Sequence, residues 1–255
     1  MDNYLDLKKC SEMMNSFCDS IDDYKPVEKQ TRITKKIHIT DVAIDKVPYV
    51  NYPTLSSENC ENIHFLGKLL LKLSKENNFH NEVGITYRLY KEFDEDENDR
   101  VAIVYGTEHE VDICAHSKSF HLLYSRDLAV ISMHNHTNGT LFSCLDIQTL
   151  LSNNAIKIMI LLSNKGELCY LCKNEKYDRQ RAINEYKKIK DSVTEAFGNS
   201  SNEYSFEELS NISKIWLNKC YKWGINFRRV LHDERSKDYE WNTEFKKSFD
   251  IKRQF

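Results

Sequence analysis

Glycine and proline are scarce, 7 and 3 of 255 residues, which excludes repetitive Gly-X-Y chains and long flexible or Pro-rich linkers. Neither sign of charge dominates. The net charge of -3 offers no general attraction to nucleic acid or to anionic membranes. Long apolar runs are missing as well: Ile156 to Leu162, among the longest, falls far short of the ~20 residues of a membrane span. The opening stretch Met1-Asp2-Asn3-Tyr4-Leu5-Asp6 lacks the basic and apolar regions of a secretory leader, so the 8 cysteines are expected as thiols in a reducing cytoplasm. Cys169 and Cys172 form a C-x-x-C, yet Leu168-Cys169-Tyr170-Leu171-Cys172 reads as a strand, in which residues three apart face opposite sides.

What is present centres on Met133-His134-Asn135-His136-Thr137-Asn138-Gly139-Thr140-Leu141-Phe142-Ser143-Cys144-Leu145-Asp146. The run Asp127 to Met133 is apolar and β-branched, as a buried strand should be, and residues two apart in a strand face one way. His134 and His136 therefore reach toward one ion. Past the Asn138-Gly139 turn, Ser143 takes a helix N-cap position and Asp146 falls in the first turn behind it, where a carboxylate returns toward the histidines. A Ser-x-x-Asp is also an ordinary capping box. Two imidazoles and a carboxylate leave a tetrahedral Zn²⁺ one open position, which in catalytic sites holds a water with pKa near ~7.

Upstream, Ile63, Leu66, Leu69, Leu70 and Leu73 recur at helical spacing from Ser57 onward, with Lys68, Lys72 and Lys75 on the other side, and the helix ends near Asn77-Asn78. Phe79 to Tyr90 then reads as a strand with Glu82 among its first residues. Val101 to Tyr105 and Val111-Asp112-Ile113 read as strands around a turn carrying Glu108 and Glu110, and the acidic run Asp94 to Asp99 as a solvated loop. His116 and His121 read as surface or capping histidines. After Asp146, Ile147, Leu150 and Leu151 give a helix its apolar face, and Ile156 to Leu162 and Glu167 to Leu171 form a hairpin about Ser163-Asn164-Lys165-Gly166.

His-Asn-His, a Gly-containing turn and Ser-x-x-Asp resemble the motif of the JAMM metalloproteases, also called MPN or JAB domains. The Asn between the histidines and the short spacer, with Phe142 before Ser143, are most similar to the RadC-like, phage and mobile-element branch of bacteria. Thr137 departs from the pattern, in which proline usually follows the second histidine. The resemblance implies an α+β fold, a curved mixed β-sheet flanked by helices, over about residues 57–173. Residues 1–56 would be a partly irregular extension, with Leu5, Met13, Met14 and Phe17 on a surface helix. Residues 174–255 read as a helical C-terminal region broken at Gly198-Asn199-Ser200-Ser201, with Trp216, Tyr221, Trp223 and Phe227 as core or docking residues. It further implies Zn²⁺ on His134, His136 and Asp146, with Glu82, ahead of Glu76, Glu108 and Glu110, as the base and Ser143 as the oxyanion donor. The expected activity is hydrolysis of an amide or isopeptide bond in a peptide or ubiquitin-like substrate, with no membrane or nucleic-acid partner. The competing expectation is a non-catalytic JAB-fold scaffold in a mobile-element, phage or DNA-processing assembly.

Overall fold

Among the described residues, the β-branched and aromatic runs form six strands: β1 (Val83–Arg88), β2 (Val101–Tyr105), β3 (Val130–His136), β4 (Ile156–Ser163), β5 (Leu168–Lys173) and β6 (Ile225–Val230). They make one mixed sheet in the order β2-β1-β3-β4-β5-β6, in which only β3 and β4 run parallel. The computed structural model describes residues 35–91, 97–124, 126–139, 141–197 and 204–230. The expected helix around Leu5 to Phe17, residues 94–96 of the acidic run, the break at Gly198 to Ser201 and the residues after 230 lie outside the described residues.

Helices cover both faces. Residues 35–56 pass through the short helix α1 (Asp41–Asp45), capped by Thr40, and bury Ile39, Ala43, Val47, Val50 and Tyr52 in the same core as the sheet. The long helix α2 (Ser57–Asn77) starts at Ser56, whose hydroxyl accepts from the Asn59 amide, and lays Leu66, Leu70 and Leu73 against Ile85, Met133 and Ile160. On the other face lie α3 (Ser117–Leu123), α4 (Cys144–Ser152), α5 (Arg179–Ala196) and α6 (Phe206–Lys219), around Ile147, Leu161, Leu171 and the fully buried Trp216. Because α4 joins the parallel pair β3 and β4, its N-terminus stands over the carboxyl end of β3. That end of an α/β crossover is where ligands commonly bind.

Two expectations are corrected. Val111-Asp112-Ile113 is not a strand: Asp112 Oδ1 accepts from the amides of Cys114 and Ala115, which turns the chain. Val111 and Ile113 instead pack down onto Gly84, where a Cβ would stand 2.7 Å from Ile113 Cγ2. The C-terminal region is not purely helical either. Gly224, at φ 77, stops the turn after α6, and the chain leaves as β6, pairing with β5 from Leu168↔Val230 to Lys173↔Ile225. Trp216 and Trp223 are core residues, whereas Tyr221 is exposed. As the strand reading required, Cys169 and Cys172 face opposite cores, and His116 caps α3 by accepting from the Ser119 amide.

One buried histidine makes the fold acid-sensitive. His64, on α2, sits 2.9 Å by Nε2 from the Val47 carbonyl, and burial lowers its pKa from 6.5 to about 4. The unfolded chain therefore binds the extra proton between these values, so stability falls as pH drops from 6.5 through 4, by roughly 3 kcal/mol if this group acts alone. His64→Gln keeps a donor for the carbonyl but cannot titrate. Urea unfolding at stepped pH should show the wild type losing more than the variant across that window, and equal losses would refute the assignment.

Candidate metal centre

His134 and His136 face the same side of β3, the side of Leu161 and α4, because their positions differ by one pleat repeat. Both are buried. Asp146 meets them from the first turn of α4, held in a capping box: Ser143 Oγ accepts from the Asp146 amide at 3.1 Å, and the Ser143 amide donates to Asp146 Oδ2 at 2.6 Å. His134 Nε2 lies 3.1 Å from His136 Nε2 and 3.0 Å from Asp146 Oδ1, and His136 Nε2 lies 3.5 Å from Asp146 Oδ2. Donors about 2.0 Å from a tetrahedral zinc stand about 3.3 Å apart. The three side chains could hold one metal ion, and they form the one such cluster among the described residues.

The electrostatics agree with that use. Burial opposes ionisation of Asp146, but the charges and hydrogen bonds of His134 and His136 outweigh it and hold the carboxyl well below the usual carboxylate range. A ligand oxygen stays deprotonated as a result.

Glu82 precedes β1 and is 6% exposed, with its amide donating to Thr107 O and its carbonyl accepting from the Gly106 amide. Burial pushes its carboxyl up to about 8, with His136 pulling down and Asp146 and Glu110 pushing up. Because Gly84 pairs with His134, Glu82 lies two residues earlier on the same side of the sheet, beyond the end of the β1–β3 ladder and toward His136. The competing glutamates sit differently: Glu110 is exposed, and Glu108 is part-exposed and lies 3.8 Å from Lys36 Nζ. Ser143 is exposed at the lip, its hydroxyl donating to Asp146 Oδ2 at 2.7 Å. All five residues singled out in the sequence therefore gather at the carboxyl end of β3.

What the sequence reading missed lies behind the histidines. Asn135, fully buried, points away from them and accepts from the Val83 amide at 2.7 Å, while its Nδ2 donates to Asn164 Oδ1 at 2.8 Å and Asn81 O at 3.2 Å. An asparagine inside a buried strand is itself a signal, because strands disfavour it and a buried amide needs partners. No family model matches this chain, and no curated protein or solved structure matches it.

Proposed function

We propose that this protein is a zinc-dependent metallopeptidase or isopeptidase of the JAMM type, hydrolysing an amide or isopeptide bond in a peptide or ubiquitin-like substrate. The observation that carries the reading is the convergence of two imidazoles and a carboxylate on one point beside a buried glutamate that is not itself one of the three donors. Three protein donors leave a fourth position open, which separates catalytic from structural zinc sites. A six-stranded mixed sheet flanked by helices is compatible with the JAMM fold.

Zinc bound by His134, His136 and Asp146 would supply Lewis-acid polarisation and a water acidic enough to lose a proton at neutral pH. Glu82 takes the proton of the attacking water and returns it to the leaving amine, so one carboxyl serves as base and then acid. Burial raises its proton affinity above that of a free carboxylate, which suits a group that must take a proton from water. Ser143, exposed at the mouth of the site, turns its hydroxyl from Asp146 to the oxyanion, a contact worth a few kcal/mol of barrier in comparable sites.

The test offers a mixed peptide library and linear and isopeptide-linked ubiquitin-like fusions to the purified protein, with products scored by mass. Cleavage is expected, abolished by chelator and restored by one equivalent of Zn²⁺. Stoichiometric zinc binding with no cleavage in any substrate class would favour the scaffold instead.

A further inference from the structure

The two histidines lie on β3 and the proposed base just before β1, and something must hold the two segments in register where the backbone ladder gives out. Backbone pairing between β1 and β3 ends at Gly84↔His134. One residue further, the Val83 amide has the Asn135 side chain as its acceptor, at 2.7 Å. The same side chain donates to the Asn81 carbonyl at 3.2 Å, so its acceptor and donor arms clasp the residues on either side of Glu82. Its own backbone lies between the two histidines.

The loop thus clasped needs holding. Phe79 and His80 both take positive φ, 51° and 62°, a region in which residues with a side chain are strained. Several bonds hold it there. Ser74 Oγ donates to Asn81 O at 2.5 Å, Asn164 Nδ2 donates to His80 O at 3.1 Å, and Asn78 Nδ2 donates to Glu82 O at 2.8 Å. Asn135 joins this set from the sheet side, through Asn164 at 2.8 Å and Ser74 at 3.4 Å. Ser74, Asn135 and Asn164 are all buried, so a polar atom that loses its partner here has little water to replace it.

We infer that Asn135 is a positioning residue for catalysis: its side-chain amide clasps the backbone on both sides of Glu82 and fixes the base relative to the histidines that flank Asn135 on β3. The inference rests on the proposed hydrolysis, in which Glu82 moves the proton. Asn135 touches neither substrate nor metal and acts through Glu82 alone. Its loss leaves the ligands on their strand and loosens the base on the side facing β3, and misplacement of a reacting group by about 1 Å costs on the order of 10²-fold in rate.

The test compares wild type, Asn135→Ser and Ser74→Ala, each with and without Glu82→Gln, on whichever library peptide the wild type cleaves. Asn135→Ser is expected to bind one Zn²⁺ per chain with unchanged affinity, to leave KM unchanged and to lower kcat by about 10- to 10²-fold. In the Glu82→Gln background the same change should cost nothing more, since the group it positions is gone. Ser74→Ala, remote from the ligands, should show a smaller loss of the same kind and serves if Asn135→Ser does not fold. Equal losses in both backgrounds, or lost zinc, overturn the proposal in favour of a structural role. Amide exchange of the zinc-loaded protein provides a readout that needs no substrate: Val83 should exchange about tenfold faster in Asn135→Ser, with the His134 and His136 amides unchanged. Unchanged Val83 exchange overturns the clasp even in an active hydrolase. Faster Val83 exchange in a protein that cleaves nothing upholds the clasp and removes the hydrolytic reading instead.

Discussion

Glu82→Gln is expected to lower hydrolysis by a factor on the order of 10² to 10⁴ while leaving the fold and one zinc per chain in place. Gln preserves the shape but offers no basic oxygen, and Glu82 is not among the three donors that converge on one point. The loss should appear in kcat and kcat/KM alike, as when an interaction is made only in the transition state. A second signature comes from stability without metal. The Glu82 carboxyl is raised from 4.5 to about 8 by burial, so the folded chain binds the extra proton between these values. Stability from this group is present below 4.5 and is lost as pH rises through 8, a change of roughly a few kcal/mol. Metal-free Glu82→Gln should therefore gain on the wild type across that window, as read by urea unfolding. If the variant cleaves as fast as the wild type, the base lies elsewhere, and Glu108 and Glu110 become the residues to replace.

The site was legible in the sequence because it is local. His134 and His136 share a face by strand periodicity, and Ser143 and Asp146 are brought to them by one turn and one helix start, all within 13 positions of chain. Helix α2 was legible for the same reason, since its apolar spacing repeats over 21 residues. The sixth strand was not. β6 follows two helices and owes its conformation to pairing with β5, more than 50 positions upstream, and to the Gly224 stop. Nor was the polar clasp behind the histidines: Asn135 meets Ser74 and Val83, 61 and 52 positions away, and no local pattern announces such partners. Local periodicity thus finds His134, His136 and Asp146, and tertiary contacts decide how the loop that carries Glu82 is held beside them.

Asp146 offers the sharpest separation of chemistry from architecture, because it is both a donor to the cluster and half of the capping box on α4. Asp146→Ala removes both. It should lower zinc affinity by a factor on the order of 10² or more and, through the lost cap, destabilise the metal-free protein by about 1 kcal/mol. Asp146→Asn divides the roles: its amide oxygen can still accept from the Ser143 amide and hydroxyl, but a neutral amide is a poor ligand. Its affinity should fall nearly as far, while the metal-free protein keeps the cap and loses only the carboxylate's interactions with the two histidines. His134→Ala loses the metal while leaving the cap untouched. Metal analysis, zinc titration and metal-free unfolding on the three variants read these effects separately. Wild-type zinc content in both Asp146→Asn and His134→Ala would remove the metal centre, and the proposed hydrolysis with it. The identity of the metal is read in the same experiment. Two histidines and a carboxylate also serve non-haem iron, so stoichiometric iron in place of zinc in protein purified without chelator would redirect the chemistry from hydrolysis to oxygen activation while leaving the ligand assignment standing.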